Sequence, residues 1–332
     1  MIISRTPFRI SFFGGGTDYP GWYKENGGAV ISASINKYCY ITCRYLPPFF
    51  DYKYRIRYYH REEASRIEDI KHPAVRECLI FSKLDKGVDI VHHADLPAQS
   101  GLGSSSTFTV GLLHALCALK HEMPTKLELA TNAIHIEQEK IKENVGSQDQ
   151  TAAAFGGLNL IEFSGTREIT VKKFIIPPIK MANLEKHLML FFTGFSRSAS
   201  DIAKEQIDLI PSKTSNLNQM MQLVTEASNL LQQKTDHLDD FGRLLHEQWL
   251  VKKQMSSKIT NGDIDSIYKA GMNAGALGGK LLGAGGGGFM LFFVKPELQN
   301  QVRQALSQLL CVPTLFDYSG SQIIYHSLED EY

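Results

Sequence analysis

The sequence predicts two domains, each built from mixed strands and helices. Three observations carry this. The chain has 332 residues, more than one hydrophobic core comfortably organises. Segments with strand-like alternation or β-branched and aromatic character recur between segments with a helical apolar stripe. Pro177-Pro178 then interrupts the pattern and marks the boundary, so the expected domains are residues 1–177 and 178–332.

Bulk composition narrows the function. Lys plus Arg and Asp plus Glu each total 35, so net charge is zero. A nucleic-acid or membrane-surface role driven by overall charge is disfavoured, while a local basic pocket stays open. The 43% apolar share is ample for two cores. No stretch reaches the roughly 18 apolar residues of a membrane span. Met1-Ile2-Ile3-Ser4-Arg5 lacks a secretory layout. Five scattered cysteines, Cys39, Cys43, Cys78, Cys117 and Cys311, argue against a disulfide framework and fit a reducing cytoplasm. Cys39 and Cys43 would share a strand face, but no Cys-x-x-Cys or His pair completes a metal site, and they read as packed thiols.

Ile2 to Phe13 alternates as a strand and runs into Gly14-Gly15-Gly16-Thr17-Asp18-Tyr19. Three successive glycines suit a main chain that must approach a ligand. Asp18 is either a turn residue or an acceptor for a polyhydroxylated substrate. Val30 to Arg44 reads as a long strand or hairpin. Tyr52 to His60 interleaves basic and aromatic residues, but it is short and reads as sheet surface rather than a nucleic-acid platform. Ala74 to Asp85 reads as a helix and Val88 to Ala94 as a strand.

Pro97-Ala98-Gln99-Ser100-Gly101-Leu102-Gly103-Ser104-Ser105-Ser106 follows that strand and feeds a buried helix, Thr107 to Leu119. A glycine-rich turn at a helix start offers bare amides and the positive dipole end to an anion. Serines there cap the helix or lend hydroxyls to a phosphate-bound Mg²⁺. No Lys follows, as a Walker loop requires, and Ser106 stands where a dinucleotide fingerprint needs its third glycine. The loop reads as a nucleoside triphosphate cradle, with a plain capped turn as the competing account.

Thr125 to Lys142 is amphipathic, with Leu127, Ala130, Ile134 and Ile141 on its stripe. Glu137 sits on or beside that stripe and needs either a metal or cation, or a rim partner such as Lys140 or Lys142. Asp149 stands where a loop enters a short small-residue helix, as a first-turn carboxylate or a base aimed into a cleft. Leu158 to Phe163 and Ile169 to Ile175 read as paired strands. Beyond the boundary come a strand at Leu188 to Thr193 and helices near 200–210, 217–234, 238–255 and 263–274, covering a sheet. A second glycine cluster, Gly275 to Gly288, leads into a strand, Phe289 to Val294. Glu297 to Leu310 reads as helix and Ser321 to Ser327 as a last strand.

Three motifs in this order resemble the kinase superfamily of galactokinase, homoserine kinase, mevalonate kinase and phosphomevalonate kinase: Pro7 to Tyr19, Pro97 to Ser106, and Lys280 to Phe289. The resemblance covers nearly the whole chain. It implies an α+β, two-domain fold, with an N-terminal half like ribosomal protein S5 domain 2 and a ferredoxin-like C-terminal half. It implies ATP on the second motif, held by residues Ser100, Gly101, Leu102, Gly103, Ser104, Ser105 and Ser106, and Mg²⁺ on Ser105 and Glu137. It implies Asp149 as the base facing the acceptor hydroxyl, with Arg9 lowering the pKa of that hydroxyl. Gly15, Gly16, Thr17, Asp18, Gly285 and Gly286 would meet the sugar, and Lys280 and Arg197 are candidates for clamping a sugar phosphate.

Galactokinases carry Gly-Glu-His-Thr-Asp-Tyr in the first motif, where this chain has Gly14-Gly15-Gly16-Thr17-Asp18-Tyr19. That is similar to the heptose 7-phosphate kinase branch, which implies phosphorylation of the C1 hydroxyl for nucleotide-activated heptose and surface glycan synthesis. Fucokinase- or galactokinase-like action on a free sugar, or a sensor that has lost catalysis, are the alternatives. The implied partners are ATP and a sugar phosphate, with no nucleic acid and no membrane. Oligomeric state stays open, a homodimer included.

Overall fold

A computed structural model describes residues 1–166, 168–194, 199–233 and 238–327. Among these residues the strands are β1 Ile2–Phe13, β2 Gly28–Tyr45, β3 Tyr54–Arg57, β4 Arg61–Ala64, β5 Val88–Ala94, β6 Leu158–Ser164, β7 Glu168–Lys173, β8 Leu188–Phe192, β9 Ala276–Leu281, β10 Phe289–Val294, β11 Leu310–Val312 and β12 Gln322–His326. They form an eight-stranded sheet, β12-β1-β2-β5-β3-β4 with β6 and β7 branching from β2, and a four-stranded antiparallel sheet, β11-β8-β10-β9.

The 18-residue β2 explains the branch. One edge pairs with β1 along most of its length. The other is divided, with Gly28–Ala33 on β6 and Cys39–Tyr45 on β5. The basic-aromatic stretch becomes β3, where Arg55 and Arg57 bond Asp89 of β5. It serves the sheet.

Two expectations need adjustment. The amphipathic segment is an α-helix only over Lys126–His135, opened by a capping box between Thr125 and Glu128. Ile136–Ile141 continues as a wide π turn, and Leu127 is exposed rather than on the stripe. The early part of the second glycine cluster is itself a strand, β9. At the chain's far end, β12 lies beside β1, so this strand crosses the 177/178 division of the sequence.

The two sheets meet through an aromatic seam. Phe12 and Phe13, at the end of β1, pack edge-to-face on Phe241 of helix Leu238–Lys253, with ring centroids 5.5 and 5.2 Å apart. Phe241 continues to Phe293 of β10. Each ring is fully buried, worth roughly 1.5–3 kcal/mol apiece. The seam fixes β1 against the second sheet just before Gly14, so the functional loops flank a packed joint. No helix among the described residues is long and apolar enough to cross a membrane. All five cysteines are free thiols.

Candidate active site

Arg9 is the centre of the site. The β1–β2 register shifts between Pro7 and Arg9 and again between Ser11 and Phe13, irregularities that re-aim side chains. The Arg9 side chain, 3% exposed, donates from Nε and Nη2 to Asp149 Oδ1 and Oδ2, both at 2.8 Å. Its Nη1 donates to Gly101 O at 2.8 Å, and its backbone N–H donates to Leu102 O at 3.1 Å. One side chain therefore ties the carboxylate in the first turn of helix Gln148–Phe155 to the glycine-serine loop. Such bidentate charged pairs are the strongest of protein hydrogen bonds.

The helix after that loop begins at Ser104, and its N-cap is Gly103, in the left-handed region at φ 77°. Glycine offers no side-chain cap, so the first-turn amides stay free for an anion. The loop rests on the second glycine cluster. A Cβ on Gly283 would stand 2.4 Å from Gly101 Cα, and one on Gly288 would stand 2.2 Å from Ser100 O. Only glycines allow the two backbones to touch.

A cavity of about 300 Å³ opens here. Gly101, Gly103, Ser104, Ser105 and Ser106 line it, as do Arg9, Asp149, Gly15, Gly16, Asp18 and Lys280. Asp18 is 2% exposed and accepts bonds from Gly16 N–H at 2.9 Å and Gln148 N–H at 3.4 Å. Burial pushes its pKa above the usual carboxylate range. Gly146 backs it so closely that a Cβ would lie 1.8 Å from Asp18 Oδ2. Ser11 Oγ and Gln148 Oε1 are buried at the cavity wall with no hydrogen-bond partner among the described residues, which marks them as groups awaiting a polar ligand.

Several expected site residues stand elsewhere. Glu137 is fully buried, does not line the cavity, and bonds Ser106 rather than Ser105: Ser106 Oγ donates to Glu137 Oε2 at 2.8 Å, while Ser105 is exposed. The helix rotation from Ser105 to Ser106 turns only the latter toward the π turn that carries Glu137. Burial pushes the Glu137 carboxyl up to about 7 against the hydrogen bonds it accepts from Ser106 and Gln150, and its Oε1 has no hydrogen-bond partner among the described residues. Thr17 faces inward, its hydroxyl engaged with Gly14 O at 2.8 Å and Ala29 O at 3.0 Å. Ser100 and Leu102 are buried behind the loop. Gly285 and Gly286 pack against Ile259, with Gly286 N–H donating to Ile259 O at 2.9 Å, and do not reach the cavity. Arg197 lies outside the described residues.

The sequence reading missed Lys252. It stands in the last turn of helix Leu238–Lys253, buried, and donates to Gly283 O at the cavity wall. Burial pulls its pKa down to about 8, and nearby Arg9 acts in the same direction. Lys280 is buried too and donates to Phe12 O at 2.9 Å, and burial holds its pKa well below the ordinary lysine value. Gln206, which donates to Ala284 O, and Glu143 also line the cavity and were not anticipated.

No group of three or more His, Cys, Asp or Glu side chains arranged for a metal occurs among the described residues. The donor set still suits Mg²⁺ bound mainly through phosphates, an ion content with one or two carboxylates. The orphaned buried oxygen of Glu137 and the Ser106 hydroxyl are hard donors of that kind.

Known proteins show the same architecture. Residues 70–157 match the GHMP kinases N terminal domain and residues 227–310 the GHMP kinases C terminal domain. The chain is 31% identical to a D-glycero-alpha-D-manno-heptose 7-phosphate kinase of Campylobacter jejuni, over 92% of this chain and 93% of that one. It is 24% identical to a bifunctional fucokinase/GDP-fucose pyrophosphorylase of Arabidopsis thaliana, over 91% of this chain but 31% of that longer protein. In fold it is similar to a D-glycero-D-manno-heptose 1-phosphate kinase from Bacteriodes thetaiotaomicron, with a TM-score of 0.81 at 24% identity, covering 99% of this chain and all of the other. The chain belongs to the GHMP kinases, and its α+β architecture with matching N- and C-terminal domains is theirs. Within them it is a sugar kinase, a phosphotransferase.

Proposed function

We propose that the protein transfers the γ-phosphoryl group of ATP to the anomeric C1 hydroxyl of D-glycero-D-manno-heptose 7-phosphate, giving the 1,7-bisphosphate for nucleotide-activated heptose and surface polysaccharide. The observation that carries this is the Arg9–Asp149 pair, joined through Gly101 to uncapped helix amides and facing two buried lysines across one cavity. Asp149 accepts the proton of the acceptor hydroxyl, an assist typically worth about 10²–10⁴-fold. Arg9 fixes that carboxylate in plane and shares the charge developing on the acceptor oxygen. The amides of Ser104, Ser105 and Ser106 hold the nucleotide phosphates, where positioning and electrostatics supply most of the catalysis. Glu137 and Ser106 would hold Mg²⁺, which would supply positive charge to offset that of the nucleotide phosphates.

Asp18, Ser11 and Gln148 offer acceptors and a donor to sugar hydroxyls. Lys280, buried and bonded among the described residues to the Phe12 carbonyl, favours an acceptor that already carries a phosphate. The competing reading, a fucokinase-like enzyme acting on a free sugar, draws on the Arabidopsis similarity. The test is ATP consumption with heptose 7-phosphate, heptose 1-phosphate, fucose and galactose supplied separately. The fastest turnover is expected on the 7-phosphate; fastest turnover on a free sugar overturns the proposal in favour of the competing one.

A further inference from the structure

The cavity is lined by three cations, Arg9, Lys252 and Lys280, and by three carboxyl groups, Asp18, Glu143 and Asp149, but they are not paired one to one. Arg9 is matched by Asp149. Lys252 and Lys280 are 5% and 1% exposed, and neither meets a carboxylate in an ion pair among the described residues. The contrast with Lys253 is direct. That neighbour turns outward to the Trp249 ring and to Asp265. Asp18 and Asp149 act on Lys252 only through space, and a buried ammonium with no carboxylate in contact still has room for an incoming anion.

The position of Lys252 says which anion. Its Nζ donates to Gly283 O, Gly283 presses on Gly101, and Gly101 O accepts Arg9 Nη1. Lys252, Gly283, Gly101, Arg9 and Asp149 thus form one unbroken run, and the anion-binding amides begin three residues past Gly101. Lys252 stands at the junction of the phosphate loop and the base. A lysine ammonium has three donors, and Gly283 uses one.

We propose that Lys252 is a catalytic residue whose ammonium contacts the equatorial oxygens of the phosphoryl group in flight. In that step the acceptor oxygen forms a bond to the γ-phosphorus while the bond to the ADP oxygen breaks. The acceptor proton passes to Asp149, and Lys252 transfers no proton. Its fixed charge offsets the negative charge spread over the transferring group, the role in which preorganised cations contribute most. The inference rests on Asp149 marking the reacting end of the cavity, and it holds whichever sugar is the acceptor.

The test uses full-length protein with whichever sugar of the panel turns over fastest, so an error about the sugar does not touch it. Lys252→Gln keeps a donor for Gly283 and loses the charge; Lys252→Arg keeps the charge; Lys252→Ala leaves room for an added alkylamine. Folding is checked by thermal unfolding and by affinity for a non-hydrolysable ATP analogue. The Gln variant is expected to lose about 10²–10³-fold in kcat, as removal of one preorganised transition-state partner does. Both KM values should stay within about threefold, the pattern of an interaction made only in the transition state. The Arg variant should recover part of the loss, and ethylammonium should raise kcat of the Ala variant. A folded Gln variant with near-normal kcat, or a loss confined to acceptor KM, overturns the assignment. Where the Gln variant fails to bind the ATP analogue, amine rescue of the Ala variant decides, and its absence overturns it too.

Discussion

Arg9 and Asp149, 140 positions apart in sequence, meet through two parallel hydrogen bonds of 2.8 Å, and the remaining guanidinium nitrogen holds Gly101 O. The base and the phosphate loop therefore cannot move independently. Asp149→Asn keeps the shape, removes the proton acceptor, and places an amide against Arg9. ATP-analogue affinity should change only a few-fold while kcat falls by about 10²–10⁴, the usual worth of a general base. Single-turnover kinetics beside calorimetric titration separates the two, and near-normal turnover would refute the base role.

The pairing of Ser106 with Glu137 makes a prediction about the metal. If this pair holds Mg²⁺, Ser106→Ala and Glu137→Gln should each raise the Mg²⁺ concentration needed for half-maximal rate, and Ser105→Ala should raise it less. Glu137→Gln should also be the more stable protein above neutrality. In the fold the Glu137 carboxyl is pushed from 4.5 to about 7, so between those values the folded state keeps a proton that the unfolded chain has released. Stability falls as pH rises through that window, by up to roughly 3 kcal/mol, and the neutral Gln escapes the loss. Melting curves at pH 5 and pH 8 should show the variant's advantage only at the higher pH; an equal difference at both would rule out an ionising buried carboxyl.

Much of this architecture was legible in the sequence, because strand alternation and glycine runs are local signals. Ile2 to Phe13 and Val88 to Ala94 emerged with the boundaries the structure gives them. Asp18 and Asp149 stood out by type and setting and Arg9 through the family resemblance, and the three gather at one cavity. Other features were hidden for physical reasons. Lys252 and Lys253 end the same amphipathic helix and look alike as solvated basic residues; only packing turns one inward. The π turn at Ile136–Ile141 leaves no mark on a 3.6-residue period read from apolar positions. The family resemblance put Gly285 and Gly286 at the sugar, but a glycine run equally serves close backbone packing, and here it lies on Ile259.

Gly146 stands directly behind Asp18. Its replacement by Ala would drive a methyl into the Asp18 carboxylate, which is bound by Gly16 N–H and cannot retreat freely. Gly146→Ala should raise the acceptor KM by about tenfold or more, equivalent to some 1.4 kcal/mol, while ATP-analogue affinity holds within a few-fold. Steady-state titration of each substrate checks this, and a loss falling equally on both would point to general damage instead.

Lys252 gives the sharpest pH signature. Burial lowers its pKa from 10.5 to about 8, with Arg9 adding to the effect and Asp18 and Asp149 opposing it. Arg9 and Lys280 are the other cations lining the cavity. Between pH 8 and 10.5 the unfolded chain binds more protons at this site than the folded one, so stability attributable to Lys252 rises with pH across that window. Below pH 8 the buried charge costs up to roughly 3 kcal/mol. Lys252→Met should therefore melt at a higher temperature than the wild type at pH 7, and the gap should close by pH 10.5. Activity should move the opposite way: kcat/KM of the wild type declines as pH rises through 8 and the ammonium is lost. In Lys252→Arg that decline should shift to higher pH, because a guanidinium keeps its charge. A wild-type alkaline limb that stays in place in the Arg variant would assign the titration to another group.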